Sequence, residues 1–169
     1  EPMTSLNPVL TCGDQLVESL TVHKGKSAKE ARAIAVEMFR KVLLPRAEIV
    51  FDSYPHNLSG GQKQRVMIAM ALACQPQLII ADEPTTALDV VTQKIIMELI
   101  LELKEEYDFT VLFITHDLAT CKYICDWIAI MYLGQILEIG PLKEVFQHPV
   151  HPYTVSLLAA VPVPDPKFR

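Results

Sequence analysis

The N-terminal part of the chain carries apolar positions at the spacing of amphipathic helices. These positions predict a short helix around residues 16–20, a second helix over 31–42 and a third over 61–74. Ser27 and Glu30 lie three residues apart ahead of the second helix, which is the spacing of a capping box. This part of the chain is therefore predicted to be mainly helical.

Prolines limit these helices. Pro45 and Pro55 bracket a predicted loop between the second and third helices. Pro76 ends the third helix, because the residue before a proline disfavours the helical conformation. Residues 1–75 are therefore predicted to form one helical region.

Beyond Pro76 the pattern changes to short, wholly apolar runs at residues 78–81 and 110–115. Such runs are typical of parallel strands that are buried on both faces. Apolar residues at helical spacing over 96–103 predict a helix between the two strands, and a short helix is predicted over 118–125. This order predicts an α/β fold with a parallel sheet and right-handed crossovers.

The last part of the chain predicts a hairpin followed by short helices. The runs 127–132 and 136–139, joined across Gly134, predict two antiparallel strands. Pro141 is predicted to open a helix as its first residue. Residues 149–169 hold five of the 12 prolines, which predicts a last short helix and then an extended tail.

The length and composition exclude several classes of protein. The 169 residues are enough for a domain with its own core, which we divide into regions 1–75, 76–140 and 141–169. A content of 50% hydrophobic and 21% charged residues excludes an intrinsically disordered chain. Acidic residues outnumber basic ones by 20 to 15, and the net charge of −5 argues against a protein that mainly binds nucleic acid. The longest apolar run, at 66–74, is far shorter than the roughly 20 residues of a membrane-spanning helix.

The four cysteines have neither zinc-type nor disulfide-type spacing, which fits a reducing compartment. Cys121 and Cys125 lie one helical turn apart, and we interpret them as core or semi-buried thiols because no other ligand pair accompanies them. The beginning of the chain, Glu1-Pro2-Met3-Thr4, is neither a signal peptide nor a plausible translation start. We therefore expect a fragment of a longer protein.

The segment Ser59-Gly60-Gly61-Gln62 lies at the junction between a loop and the third helix. Its glycines let an anion approach the backbone, and the N–H groups and positive dipole end of the helix attract it. Ser59 and Gln62 add side-chain donors. Taken alone, the segment fits a simple helix cap with a glycine turn better.

Two carboxylates, Asp82 and Glu83, follow the first apolar strand and precede Pro84. In parallel α/β sheets, ligands bind at the carboxyl ends of strands, where adjacent carboxylates are costly unless they are used. In a nucleotide hydrolase the first carboxylate holds Mg²⁺ and the second activates the attacking water. A solvated turn is the alternative.

His116 and Asp89 each leave two interpretations open. His116 follows the second apolar strand, where it can donate a hydrogen bond to a terminal phosphate or cap the helix that begins near Asp117. Asp89 can cap the following helix or face a neighbouring subunit.

Together these features resemble the ABC-type ATPases, and the resemblance covers essentially the whole chain. The matching segments are the signature motif at 58–62, the Walker B strand at 78–83, the D-loop Ala87-Leu88-Asp89 and the switch histidine His116. The resemblance implies a partial P-loop NTPase-type sheet with an ABC helical subdomain and a C-terminal extension of hairpin and helices.

The resemblance also implies the roles of individual residues in the hydrolysis of ATP with Mg²⁺. Asp82 would be the Mg²⁺ ligand, Glu83 the general base and His116 a further catalytic residue. The implied nucleotide contacts, to ATP held mainly by the opposite subunit, come from Ser59, Gly60, Gly61, Gln62 and Asp89.

Finer features resemble the ABC importers of oligopeptides, dipeptides and nickel. The segments concerned are residues 1–8 (EPMTSLNP), Tyr54-Pro55-His56, residues 81–89 (ADEPTTALD) and His151-Pro152-Tyr153-Thr154. The last is the most discriminating, because this C-terminal extension is not general among ABC ATPases. Val90-Val91-Thr92-Gln93 departs from the sequence usual in that group, which is similar to VTIQ.

This resemblance implies a peripheral protein on the cytoplasmic face of the cell membrane that energises solute import. The implied partners are a second ATPase subunit, identical or paralogous, transmembrane permease subunits and, indirectly, an extracytoplasmic solute-binding protein. Nucleic acid is not an expected partner.

The chain has no Walker A sequence. Gly25-Lys26-Ser27 imitates its end, but Leu20 stands where the first glycine belongs, so we interpret the segment as a loop leading to the Ser27 cap. We therefore expect the 169-residue chain to be inactive by itself. Two other classes stay open, namely a soluble ABC protein that acts on ribosomes or chromosomes and a non-catalytic regulatory module.

Overall fold

The computed structural model describes residues 5–86 and 88–160. The first four residues of the importer-like segment, Ala87 of the D-loop and the expected tail beyond residue 160 lie outside the described residues. The elements along the chain are α1 (Cys12–Lys24), α2 (Ala28–Lys41), α3 (Ala47–Phe51), a 3₁₀ turn (Pro55–Asn57), α4 (Gly60–Ala73), β1 (Leu78–Asp82), α5 (Val90–Tyr107), β2 (Thr110–Ile114), α6 (Leu118–Ile124), β3 (Trp127–Tyr132), β4 (Gln135–Pro141), α7 (Leu142–Gln147) and α8 (Pro152–Ala159).

The chain divides into two compact units, residues 1–114 and 115–169. The first unit holds the helices α1–α5 and the strands β1 and β2, and the second holds the hairpin and the last three helices. The three-part division drawn from the sequence stays a prediction.

The helical region forms as predicted, and local signals explain its boundaries. Ser27 and Glu30 form the expected capping box, in which the Ser27 N–H donates to the Glu30 carboxylate at 3.0 Å. Gly25 ends α1 with φ of 61°, in the left-handed region that glycine adopts without strain. Gly25-Lys26-Ser27 is therefore a link between helices, as the sequence predicts. The side chains that pack this core most completely are Leu16, Leu20, Phe39, Phe51, Val66 and Leu72.

The prediction of a plain loop between Pro45 and Pro55 is wrong. This segment contains the short helix α3 and the 3₁₀ turn. Phe51 anchors the helix in the core, and the Arg32 guanidinium lies 4.0 Å from the centre of its ring. A helix of five residues spans too few turns to produce a readable apolar period, and packing rather than intrinsic propensity stabilises it.

The strands β1 and β2 are parallel, as predicted, with Ile80 opposite Leu112 and Asp82 opposite Ile114. The prediction that they are buried on both faces is wrong. Alternate residues such as Ile79 and Val111 pack against the helical core, whereas the other face of the pair is exposed. The apolar residues of that open face, each 44–61% exposed, are Leu78, Ile80, Leu112 and Ile114.

The second unit contains the predicted hairpin. Leu133 and Gly134 both have positive φ in the tight turn, which matches the twist of antiparallel strands. The prediction that Pro141 is the first residue of α7 is wrong. Pro141 pairs with Trp127 at the end of the hairpin and so becomes the N-cap of a helix that starts at Leu142.

Glu138 fixes the start of α8 in the second unit. Its carboxylate accepts hydrogen bonds from the N–H groups of Val150 and His151, at 2.9 and 3.0 Å. These two N–H groups hold the pKa of Glu138 below its usual value. The His151 ring caps the helix by accepting from the N–H of Tyr153 at 3.1 Å. The importer-like residues 151–154 therefore form a helix start attached to the hairpin.

The open apolar face of β1 and β2 generates a prediction about solubility. We expect Ile80→Lys combined with Leu112→Glu to raise the soluble yield of the 169-residue chain several-fold, because the pair places opposite charges side by side on an exposed apolar surface. The measurement is the protein concentration that remains after centrifugation. The matched control is Val22→Lys combined with Val150→Glu, at two exposed but isolated apolar positions. An equal gain in the control would show that the open face does not drive aggregation.

Candidate functional site

The N-terminus of α4 is formed by the signature-like residues. Ser59 is the N-cap, and its hydroxyl oxygen accepts from the N–H of Gln62 at 3.3 Å. The Gln62 side-chain oxygen accepts in return from the N–H of Ser59 at 2.9 Å, which completes a capping box. The N–H groups of Gly60 and Gly61 have no acceptor one turn back within the helix. They are the two backbone donors at this helix end that a phosphate can use.

The two glycines also let α4 approach the start of α5. A Cβ on Gly60 would lie 3.3 Å from Leu88 Cδ2, and a Cβ on Gly61 would lie 2.8 Å from Thr92 Cγ2. The second distance is too short for any real contact, so Gly61 is required for packing.

Asp89 is the N-cap of α5. Its carboxylate accepts from the N–H of Thr92 at 2.9 Å and from the Thr92 hydroxyl at 2.7 Å. These hydrogen bonds hold the pKa of Asp89 below its usual value. The capping interpretation of Asp89 is confirmed, and its role at a subunit interface stays a prediction.

The end of β1 places two carboxylates in succession. Asp82 is the last residue of the strand and is exposed, and the half-buried Glu83 follows it. Glu83 has φ of 47°, a left-handed conformation that costs a non-glycine residue about 1–2 kcal/mol. Its N–H donates to the carbonyl of Ile114 at 2.9 Å and so extends the pairing of β1 with β2. The Glu83 carboxylate accepts from the Thr86 hydroxyl at 2.7 Å.

His116 lies two residues beyond the end of β2, in the second unit. The helix that follows is capped by Asp117, whose carboxylate accepts from the N–H of Ala119 at 2.9 Å and from the Thr120 hydroxyl at 2.7 Å. The interpretation of His116 as the cap of this helix is therefore wrong, and its proposed contact with phosphate stays a prediction.

Cys121 and Cys125 lie on and just after α6, where Cys121 is buried and Cys125 is half-buried. A hydrogen bond with Cys125 and burial both raise the pKa of the Cys121 thiol. Over residues 5–86 and 88–160 there is no group of three or more histidine, cysteine or acidic side chains that could hold a metal ion. The burial of Cys121 and its hydrogen bond with Cys125 favour the interpretation of the two cysteines as structural thiols.

Two family models match the chain. The model described as ABC transporter matches residues 3–86, which include the capped helix start and the carboxylates after β1. The model described as Oligopeptide/dipeptide transporter, C-terminal region, matches residues 137–169. The chain belongs to the ABC transporter family.

Curated relatives of this ABC transporter chain are named as ATP-binding proteins of oligopeptide transport. The chain is 51% identical over 162 residues to the oligopeptide transport ATP-binding protein AmiE of Streptococcus pneumoniae, across 96% of this chain and 46% of the relative. It is 51% identical to AppD of Bacillus subtilis, also named as an oligopeptide transport ATP-binding protein, across 98% of this chain and 50% of the relative. The chain spans about half the length of the curated relatives it matches.

Solved structures confirm the ABC ATPase fold. The ATP-binding cassette MJ0796, in a dimeric post-hydrolysis state with ADP and Pi, matches with a TM-score of 0.69 and 35% identity, over 82% of this chain and 59% of that one. CbiO1 of Clostridium perfringens, part of the ABC transporter complex CbiONQ, matches with a TM-score of 0.74 and 30% identity, over 88% and 57%. The predicted partial P-loop NTPase-type fold is confirmed.

A cavity of about 180 Å³ lies between α4, β1 and α5, and its lining is largely apolar. Gln64 is buried there, and its side-chain oxygen accepts no hydrogen bond. Pockets for cofactors usually measure about 300–1,000 Å³ and carry several polar groups. This cavity is therefore unsuited to a nucleotide, and the surface-exposed helix start of α4 is the better candidate.

Sequence reasoning missed two threonines of this region. The Thr86 hydroxyl donates to the Glu83 carboxylate. The Thr92 hydroxyl donates to the Asp89 carboxylate, and the Thr92 methyl group lies where a side chain on residue 61 would begin. The signals were present, because Asp89 and Thr92 have cap spacing and Glu83-Pro84 begins a turn that ends at Thr86. Neither signal indicates by itself which side chains meet.

The contact between Gly61 and Thr92 generates a prediction about stability. We expect Gly61→Ala to lower the stability of the full-length gene product by about 1–3 kcal/mol, because Thr92 is held by Asp89 and cannot move aside. Thermal unfolding measures the change. Adding Thr92→Ser, which keeps the hydroxyl and removes the obstructing methyl group, should restore most of the loss. Unfolding of Gly61→Ala at the parental temperature, or no rescue by Thr92→Ser, would contradict the packing role.

Proposed function

We propose that the chain is part of the ATP-hydrolysing subunit of an importer of peptides or related solutes. The observation that carries the proposal is the start of α4, where a capping box holds two glycine N–H groups beside the cap of α5. A helix end of this kind favours a phosphate group. The family assignment supports ATP as the source of that phosphate.

The second unit supports the peptide-importer branch. Glu138 holds the start of α8, and the match to the C-terminal region of oligopeptide and dipeptide transporters begins at residue 137. The relatives are named for oligopeptide transport or for glutathione import. The identity of the solute depends on subunits other than this one.

The residues after β1 suit a site for Mg²⁺ and water. Mg²⁺ binds through one or two carboxylates together with phosphate oxygens, and the exposed Asp82 carboxylate at the strand end offers such a ligand. When bound, Mg²⁺ supplies charge neutralisation at the phosphate oxygens. Glu83 would orient the attacking water and take its proton.

The remaining roles concern the γ-phosphate. Ser59, Gly60, Gly61 and Gln62 would donate hydrogen bonds to ATP held mainly by a second ATPase subunit, with Asp89 at the same interface. His116 would donate a further hydrogen bond to the terminal phosphate. In-line attack of water on the γ-phosphate would then be stabilised mainly by positioning and electrostatics.

The proposed location is the cytoplasmic face of the cell membrane, with permease subunits as partners. Within residues 5–86 and 88–160 no helix has the length and apolar character needed to cross a bilayer.

A pull-down with tagged full-length gene product tests the assignment to an importer directly. We expect permease subunits to copurify, and copurification of ribosomes or chromosomal DNA instead would overturn the proposal.

Glu83→Gln should lower the ATPase activity of the full-length gene product by about 10²–10⁴-fold, because glutamine keeps the shape of the side chain but cannot accept a proton. ATP binding should persist, because the substitution removes the base without changing the size of the side chain. The measurement is steady-state phosphate release together with nucleotide binding. Glu105→Gln, at an exposed position of α5, is the matched control. Near-parental turnover in Glu83→Gln would remove Glu83 from the mechanism.

The 169-residue chain by itself should neither hydrolyse ATP significantly nor bind it tightly. The sequence lacks the Walker A loop that cradles the β- and γ-phosphates, and α4 contributes one side of a composite site. Isothermal titration of the purified chain with Mg²⁺-ATP is the test. A dissociation constant in the low micromolar range or tighter would contradict this prediction.

A further inference from the structure

We propose that Thr86 is a positioning residue for Glu83, which it holds in place for the activation of water. The inference rests on the proposed ATPase function and names a residue that acts through the general base. The observation behind it is the 2.7 Å hydrogen bond from the Thr86 hydroxyl to the Glu83 carboxylate.

The local backbone brings the two side chains together. Residues 83–86 form a turn in which the N–H of Thr86 donates to the carbonyl of Glu83 at 3.2 Å. Pro84 occupies the second position of the turn, where its fixed φ favours this geometry. A turn of this kind returns its fourth residue to its first, so Thr86 contacts both the backbone and the side chain of Glu83.

Helix α5 holds the 83–86 turn in place. The buried Thr85 accepts through its carbonyl from the Gln93 side chain at 3.1 Å and from the N–H of Leu88 at 3.2 Å. Gln93 lies near the start of α5. The helix therefore fixes the backbone next to Thr86, and with it the position of the Thr86 hydroxyl. A donor on fixed backbone can orient a flexible carboxylate.

Glu83 needs such a donor because hydrogen bonding fixes its backbone but does not by itself fix its side chain. Its left-handed φ and its hydrogen bond to the Ile114 carbonyl fix the direction in which the side chain leaves the chain. The side chain still has three rotatable bonds, and the general base must lie within hydrogen-bond reach of the water. A hydroxyl donor to one carboxylate oxygen, Oε2, selects one arrangement of these bonds.

A purely structural role would give a different pattern of kinetics. If Thr86 only closed the turn, its replacement would lower stability and affect activity independently of Glu83. If it acts through Glu83, its replacement lowers kcat and loses its effect once Glu83 is gone.

The experiment uses the full-length gene product with Thr86→Val and Thr86→Ser. We expect Thr86→Val to lower kcat on the order of 10-fold with KM for ATP within about twofold of the parent, because positioning and not binding is lost. Thr86→Ser keeps the hydroxyl and should stay within about threefold of the parental kcat. Thr86→Ala provides a second variant without the hydroxyl, and thermal unfolding checks that each protein is folded.

A double-mutant cycle completes the test, with single-turnover assays for the slow variants. In the Glu83→Gln background, Thr86→Val should cause no further loss of rate. Parental kcat in both Thr86→Val and Thr86→Ala, or a full additional loss in the Glu83→Gln background, would overturn the positioning role and leave the proposed function intact. A parent protein without ATPase activity would overturn the proposed function itself.

Discussion

The start of α4 lies so close to the start of α5 that residue 61 has no room for a side chain beside Thr92. Gly61 faces the methyl group of Thr92, and Thr92 is held by two hydrogen bonds to Asp89. Because neither partner can move cheaply, the start of α4, where we propose the phosphate contacts, has a fixed position relative to the cap of α5. The proposed ATP contacts and the D-loop residue therefore belong to one rigid surface of this chain.

The same helix α5 connects that surface to the carboxylates after β1. Its Gln93 side chain holds the turn that carries Thr85 and Thr86, and Thr86 in turn contacts Glu83. The strained conformation of Glu83 persists because hydrogen bonds on both sides of it fix the backbone. The proposed phosphate contacts and the proposed general base are thus connected through short, hydrogen-bonded segments.

Local chemistry allowed much of this to be predicted from the sequence. The capping box of Ser27 and Glu30 and the parallel pairing of β1 with β2 follow from short-range patterns and are confirmed. The sequence does not reveal helix α3, because its five residues are too few to show an apolar period. The burial of Phe51 stabilises this helix. The contact of Thr92 with Gly61 was missed because it joins two helices, and spacing along the chain carries no information about such pairs.

The most direct test of the account is the structure of the full-length gene product with Glu83→Gln in complex with Mg²⁺-ATP. We expect the γ-phosphate to lie about 3 Å from the Ser59 hydroxyl and from the N–H of Gly61, at the start of α4. The same structure would contradict the account if the nucleotide were bound elsewhere and this helix end faced solvent.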